Sequence, residues 1–541
     1  MTAAWPLPDV APALAQRYRE RGWWRDETLG DVVAGALAAH PEVAVRLWSQ
    51  TRPAETTIGE VTRRSRALAG ALAARGIGPG HVVAFQLPNW LEAVVTFYGV
   101  SLCGATLVPI VHFYGPREVG HVLRESGAEL LVTADRFGHL DYLAAFEELR
   151  PTLADLETVV VVGESPGPAG SIPFDTMLDA PPLDEPVAVG VDAPVVIGYT
   201  SGTTAAPKGV VHSHRSLLAE IRQMRTMGAV GDRPVLTGAP VGHAIGMYAG
   251  LLLPLVRGQA IHLTDVWDPP RVLAAIAETD VTSGSGSTFF LQSLLDDPTC
   301  TDAHRARMSR IGLGGAPVPA AFADRCRDLG ISIVRSYGST EHPSTTGSTH
   351  DDPYEQRGYT DGRPLDGVEL RLVDDAGRDV APGTPGEILS RGPDRFAGYT
   401  DPVLTAAAID ADGWYATGDI GVLDEAGALT ITDRVKDIII RGGENISAAE
   451  VEDLLHRMPG VAEAAVVAAP DERLGEHACA FVRALPGQTV PDLAAVRAHC
   501  EALGLARQKW PEEILGVDAL PRTPTGKVKK FELRARLLEG T

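Results

Sequence analysis

Three scarcities narrow the choices. The chain holds five cysteines in 541 residues, Cys103, Cys300, Cys326, Cys479 and Cys500, widely scattered and with no Cys-x-x-Cys pair. This argues against a disulfide framework or a cysteine-rich zinc site and points to a reducing compartment. Long apolar runs are missing. The strongest, Leu251 to Val256, is broken by Pro254 and falls far short of the ~20 residues that cross a bilayer. Met1 to Val10 has neither a basic start nor an apolar stretch, so no secretory signal is read there and a cytoplasmic location is expected. Positive charge is in deficit: 48 Lys and Arg stand against 70 Asp and Glu, a net charge of −22. A surface that binds nucleic acid over the whole molecule is thereby excluded, while a local anion site is not.

Lysine is the scarcest of the ordinary charged residues. There are six, Lys208, Lys436, Lys509, Lys527, Lys529 and Lys530, against 42 arginines. Lys is a compact point charge on a flexible stem where Arg is a planar fork, so each surviving lysine is a candidate for a specific task. For Lys509, Lys529 and Lys530 a solvated surface position is an equal expectation. Four of the six lie in Leu505–Thr541, which carries eight basic and five acidic residues. A basic tip on an acidic chain points to an anion docking nearby.

What is present reads as globular: 45 % apolar and 22 % charged residues. The length exceeds one core, so two or more domains are expected. Over residues 56–190 helical and strand patterns alternate. Val61, Leu68 and Leu72 share a helical face. Val82–Phe85, Leu130–Val132, Val159–Val162 and, further on, Ile331–Val334 read as buried strands. That alternation implies parallel sheets with crossover helices. From about Gly362 turns recur every 8–12 residues, as in a smaller antiparallel region. Beyond Arg434 an α+β unit begins. Ser447-Ala448-Ala449-Glu450 reads as a capping box before Val451, Leu454, Leu455 and Met458, which share a helical face. A strand over Ala464–Ala469 follows.

Chemistry concentrates in a few segments. Tyr199 to Gly209 reads Tyr-Thr-Ser-Gly-Thr-Thr-Ala-Ala-Pro-Lys-Gly after a strand. Hydroxyl and glycine positions from Thr200 to Thr204 can turn donors toward phosphate oxygens, with Lys208 at the far end. It is not a Walker A loop. The run resembles the phosphate-binding signature of the AMP-forming adenylating enzymes, which include acyl-CoA synthetases, adenylation domains and luciferases, departing from it only at Ala205. Further motifs of that family follow in order: Tyr337-Gly338-Ser339-Thr340-Glu341, Tyr415-Ala416-Thr417-Gly418-Asp419, Asp433-Arg434-Val435-Lys436-Asp437 with Gly442-Gly443-Glu444-Asn445-Ile446, and Pro521 to Lys527. The resemblance spans roughly residues 50 to 535 and is most similar to short-to-medium-chain and alicyclic acyl-CoA ligases.

The resemblance implies a fold and a set of roles. The fold is a large α/β N-terminal domain, residues 1–434, with parallel sheets, helices and a smaller β region, followed by a small mobile α+β C-terminal domain, residues 435–541. ATP, Mg²⁺ and coenzyme A are the implied cofactors and co-substrates. Lys527, Thr340, Glu341 and His243 are the implied catalytic residues. Glu341 and Thr203 would hold Mg²⁺. Nucleotide or CoA contacts are implied for Thr200, Ser201, Gly202, Thr203, Thr204 and Lys208, for Gly314, Gly315, Ala316 and Pro317, and for Ser336, Tyr337, Gly338 and Ser339. Asp419, Ile431, Arg434, Lys436, Gly442, Gly443 and Glu444 complete the set, with Lys436 the expected hinge.

The segment that would meet the acid is Pro240–Gly246. Ala244 follows His243 where enzymes of the family that select a 2-hydroxybenzoate carry Asn, so a phenol would lose its partner, at ~1–3 kcal/mol. Small residues at Gly242, Gly246, Ser283, Gly284, Gly286 and Gly314 read as room for an apolar acid of some bulk. The expected function is an AMP-forming acyl-CoA ligase. The alternative is a freestanding adenylating enzyme that loads a carrier-protein thiol. The partner is a small carboxylic acid, without nucleic acid or membrane span, on a monomer or homodimer. Two motifs are set aside. Gly163-Glu164-Ser165-Pro166-Gly167 fits the hydrolase nucleophile elbow but runs into Pro and Gly instead of a helix. His212 and His214 look like a metal pair but have no third ligand at a helpful spacing, and read as histidines at a strand end.

Overall fold

The computed structural model describes residues 5–165, 167–200, 207–227, 233–283, 285–441, 444–471, 473–503, 505–523 and 526–539. An eight-stranded sheet runs in the order Gly398–Tyr399, Gly209–Ser213, Pro194–Tyr199, Thr106–Ile110, Val82–Gln86, Leu130–Ala134, Thr158–Val162, Ile172–Pro173. It is parallel except at the Gly209–Ser213 and Gly398–Tyr399 edge. Val82–Gln86, Thr106–Ile110 and Leu130–Ala134 are buried at every position, as parallel strands covered on both faces must be. Helix Leu91–Cys103 is apolar all round and buries every residue but Glu92. Beside it lies Ile58–Ala74, capped by Thr57 and burying Val61, Leu68 and Leu72 as their spacing predicts.

Two further five-stranded sheets carry the segments 235–286 and 310–364. In the first, Thr282–Ser283, Val235–Thr237, Ile261–Leu263 and Ala44–Leu47 pair in parallel. In the second, Ser285–Gly286, Arg310–Leu313 and Ser332–Tyr337 do so. The turn-rich stretch forms an antiparallel sheet of Glu369–Val373, Gly386–Arg391, Tyr415–Leu423 and Leu429–Arg434.

Residues after Ile438 build a separate sheet, in which Val461–Asp471 and Gly475–Ala484 form a long hairpin and Glu513–Gly516 adds in parallel. Its two apolar clusters, one around Val451, Leu455 and Val466, the other around Val467, Phe481 and Leu533, take no member from the rest of the chain. The capping box is half made. Ser447 Oγ accepts from Glu450 N at 3.1 Å, but the Glu450 carboxylate turns to Lys509 instead.

That pair corrects the expectation of solvated lysines. Lys509 meets Glu450 at 2.7 Å, Lys529 meets Glu532 at 2.8 Å, and Lys530 meets Glu452 at 2.9 Å. Burial works against the Lys530 charge, but Glu452, Asp437 and Asp433 outweigh it and hold its ammonium above the ordinary value. Arg522 and Arg534 pair with Glu463 and Asp437. Most of the basic tip is thus spent on neighbours in its own unit.

Four well-buried histidines set a pH response. Burial lowers His112, His212, His214 and His262 from 6.5 to about 4. Between those values the unfolded chain binds protons that the folded chain refuses. Stability is therefore complete above pH 6.5 and is lost as the pH falls toward 4, by on the order of 2 kcal/mol per histidine at pH 5. Thermal melts from pH 7 to 4.5 are expected to fall steadily below pH 6.5. A melting temperature that stays level to pH 5 contradicts this account.

Candidate active site

The expected loops leave the carboxyl ends of parallel strands, where open α/β sheets bind ligands. Pro194–Tyr199 leads into the phosphate loop, Arg310–Leu313 into Gly314–Pro317, and Ser332–Tyr337 into Thr340–Glu341. Ser201, Gly202, Thr203 and Thr204 lie outside the described residues, as do Gly442 and Gly443, and the side chains of Lys436 and Glu444. The two ends of the phosphate loop are closed by Thr200 N donating to Lys208 O at 3.1 Å. His121 contacts Pro207 O at 2.8 Å and Glu125 Oε2 at 2.7 Å, fixing the exit of the loop.

Asp419 is buried in Tyr415–Leu423, opposite Arg434 in the ladder. Its Oδ1 meets Arg434 Nε at 2.7 Å and its Oδ2 accepts from Tyr337 Oη at 2.8 Å. Burial alone would lower the Arg434 guanidinium, but Asp419, with Tyr337, Asp437 and Glu341, holds it above its ordinary value. Burial, reinforced by Asp419, pushes the Tyr337 hydroxyl well up, so it stays a donor. Ile431 N donates to Asp361 Oδ2 at 2.9 Å, and Asp361 Oδ1 is held by Arg335 at 2.8 Å.

Thr340 and Glu341 sit on a tight loop. A Cβ on Gly338 would lie 1.8 Å from the Pro343 carbonyl, so only glycine fits. Glu341 is buried, and its Oε1 accepts from Tyr399 Oη at 2.8 Å. Its other oxygen takes no hydrogen bond among the described residues. A carboxylate with one oxygen anchored and one available is an oxygen donor of the kind that Mg²⁺ prefers. Lys208 Nζ lies 5.1 Å from the centre of the same Tyr399 ring. Tyr399 is the site residue that the motifs missed.

Gly314 N donates to Gly286 O at 3.1 Å, and Gly314 packs on Ser336. Ile245 Cδ1 reaches toward Gly315 and Gly286. His243 caps a short turn, Ala244–Gly246, its Nδ1 accepting from Ile245 N at 3.3 Å. Burial, and then the charge of Lys527, lowers His243 to about 4. Gly526 packs on Ser287 and Phe289. The C-terminal lysine therefore lies near enough to the acid-side segment for its charge to act on His243.

The room expected from small residues is mostly absent. A Cβ on Gly242 would lie 2.4 Å from Ile110 O, and one on Gly246 would lie 2.1 Å from Pro240 O. These glycines permit backbone contact and leave no space. Gly284 lies outside the described residues. Gly286 opens on the side chains of Ile245 and Phe290 at ordinary contact distance. Asn89, another residue the motifs missed, is buried and holds this segment by donating to Ala239 O and accepting from Val241 N. A polar residue between Pro88 and Trp90 was its only sequence mark. A cleft of about 490 Å³ around Arg46, Trp48 and Arg271 includes none of these residues.

The two motifs set aside are accounted for. Glu164 N and Ser165 N donate to the Asp135 carboxylate, and the next helix among the described residues begins only at Phe174. His212 bonds the Thr340 carbonyl and His214 accepts from Leu29 N, so they serve different places.

The model for the AMP-binding enzyme family matches residues 35–400, and that for the AMP-binding enzyme C-terminal domain matches residues 450–527. The chain belongs to the AMP-binding enzyme family. It is 34 % identical over 525 residues to a medium-chain fatty-acid–CoA ligase of Escherichia coli (strain K12), covering 96 % of this chain and 92 % of that one. It is 37 % identical over 492 residues to 3-[(3aS,4S,7aS)-7a-methyl-1,5-dioxo-octahydro-1H-inden-4-yl]propanoyl:CoA ligase of Rhodococcus jostii (strain RHA1), covering 88 % and 93 %. Among solved structures, ATP-bound MatB from Rhodopseudomonas palustris superposes with a TM-score of 0.83 at 26 % identity, covering 94 % and 99 %. As a family member with such relatives, the chain is an AMP-forming acid–thiol ligase that uses ATP, Mg²⁺ and CoA. Among the described residues no helix is long and apolar enough to cross a membrane.

Proposed function

We propose that this AMP-forming acyl-CoA ligase activates an apolar acid of medium-chain or alicyclic type. The observation that carries this is the wall beside His243, where Ile245 and Phe290 face Gly286 and Ala244 offers no hydrogen bond. The names of the two relatives agree with that class of acid.

In the first half-reaction a carboxylate oxygen attacks the α-phosphorus of ATP. The bond from that phosphorus to the β-bridging oxygen breaks and pyrophosphate leaves. Two anions approach each other, so fixed cations and donors lower the barrier. Lys527 bridges the carboxylate and α-phosphate oxygens, and Thr340 donates to the α-phosphate. Lys208 and the phosphate loop hold the β- and γ-phosphates. Asp419, oriented by Tyr337 and Arg434, accepts from the ribose hydroxyls, and Gly314–Pro317 lie along the base. Glu341 would hold Mg²⁺, which supplies positive charge against the phosphates. In the second half-reaction the CoA sulfur attacks the acyl carbon, its proton passes to solvent, and AMP leaves with the former carboxylate oxygen. A cytoplasmic monomer or homodimer, split into residues 1–434 and 435–541, completes the proposal.

The test is an acid panel with ATP, Mg²⁺ and CoA, following AMP and thioester by mass spectrometry. Thioesters of medium-chain or alicyclic acids are expected, with 2-hydroxybenzoate poor. Adenylate without thioester from every active acid, together with loading of a carrier-protein thiol, replaces this reading by the carrier-loading one.

A further inference from the structure

The loop that presents Thr340 and Glu341 is held from behind as well as from its tip. One tie to the strand that leaves the phosphate loop is a side chain, His212. His212 lies on Gly209–Ser213, the strand that leaves that loop four residues after Lys208. Its Nε2 is 2.8 Å from the Thr340 carbonyl oxygen, 128 residues further along the chain. A carbonyl only accepts, so Nε2 carries the proton, and Nδ1 faces Ser216 Oγ at 3.2 Å. The ring is buried, at 3 % exposure. On the other flank Phe396 N donates to Glu341 O at 2.7 Å. Next to Glu341, His342 fills a buried slot between Ser390 Oγ at 2.8 Å and Asp394 Oδ1 at 3.2 Å. Thr340 also touches the strand that enters the phosphate loop, its Cγ2 lying 3.0 Å from a Cβ built on Gly198.

We propose that His212 is a positioning residue for adenylation: its Nε2–H fixes the Thr340 carbonyl and so sets Thr340 and Glu341 in register with the phosphate loop. This rests on the function proposed above. Without the bond, a part-buried carbonyl loses its donor and the hold of Thr340 on the strand after Lys208 is loosened. A displacement of about 1 Å suffices to slow a positioned reaction about a hundredfold. The thioester step needs no alignment of β- and γ-phosphates, so it is spared.

The neighbouring His214 supplies the control. It is equally buried and its Nδ1 accepts from Leu29 N at 2.9 Å, yet it hydrogen-bonds none of the described site residues named above. His212→Leu, His212→Gln and His214→Leu are compared as full-length protein by thermal melting, by ATP–pyrophosphate exchange, and by thioester formation from preformed acyl-adenylate and CoA. His212→Leu is expected to slow exchange by about 10- to 100-fold and raise KM for Mg·ATP, with thioester formation within about twofold. His212→Gln, whose amide can reach the carbonyl, is expected to recover most of the exchange rate. His214→Leu is expected to lower the melting temperature while exchange stays within about threefold of wild type. Should His212→Leu fail to fold, His212→Asn, whose shorter amide falls short of the carbonyl, takes its place. Wild-type exchange in the Leu or Asn variant overturns the proposal, as do equal losses in both half-reactions or an equal loss of exchange in His214→Leu. If wild-type protein makes no adenylate from any acid, it is the functional reading that fails.

Discussion

Lys527→Ala is expected to slow acyl-adenylate formation by about a hundredfold or more, or at least about 2.7 kcal/mol of transition-state stabilisation, while the melting temperature barely moves. Two facts separate the effects. Lys527 is exposed and belongs to no apolar cluster, so its stem adds little to folding. Its charge nevertheless reaches His243 and helps lower that ring to about 4. The backbone aims it. Thr523 N donates to Lys527 O at 2.7 Å, Lys527 N donates to Thr523 Oγ1 at 3.0 Å, and Gly526 is wedged on Ser287 and Phe289. Arg would bring a planar fork where two anions converge on a point, so Lys527→Arg is expected to restore little. Pyrophosphate exchange measures the first step, and preformed acyl-adenylate with CoA measures the second. Equal losses in both would remove Lys527 from its role.

Lys436→Pro is expected to keep adenylation within several-fold of wild type and to lose thioester formation by about a hundredfold. The need arises from space. In the role proposed for it, Lys527 would stand at the approach to the acid carbon, and CoA must reach that carbon afterwards. One unit serving both steps has to turn between them. The chain passes between the two sheets once, from Leu429–Arg434 through the turn Val435–Asp437 to Ile439–Arg441. Among the described residues the ties across the junction include Ser447 Oγ donating to Thr432 O at 3.1 Å, Ala320 N donating to Asp453 at 3.5 Å, and Gly526 packed on Ser287 and Phe289. Position 436 is in the first turn of a short helix, where an amide N–H has no intrahelical partner and proline is tolerated. Its ring then holds φ near about −65° and denies the change that rotation requires. Stopped-flow measurement of each half-reaction checks this. Two half-reactions at wild-type rates would move the hinge elsewhere.

Local patterns in the sequence determined the elements and the family. The spacing of Val61, Leu68 and Leu72, the buried runs at Val82 and Leu130, and the turns after Gly362 are written within a few residues. The family motifs at Thr200, Tyr337, Tyr415 and Lys527 are legible because each is a run of consecutive residue types. Tertiary structure alone decided what holds those loops. Tyr399 meets Glu341 across 58 residues, and His212 meets Thr340 across 128. Each contact depends on strand register, which no local spacing encodes. The glycines at 242 and 246 looked like room for a substrate, because a missing side chain in a sequence does not reveal which atoms occupy its place. Backbone carbonyls of Ile110 and Pro240 occupy both. Lys509, Lys529 and Lys530 looked like surface charge, because an ion pair is a property of two chain positions. Only packing brought Glu450 and Glu452 to the lysines at 509 and 530.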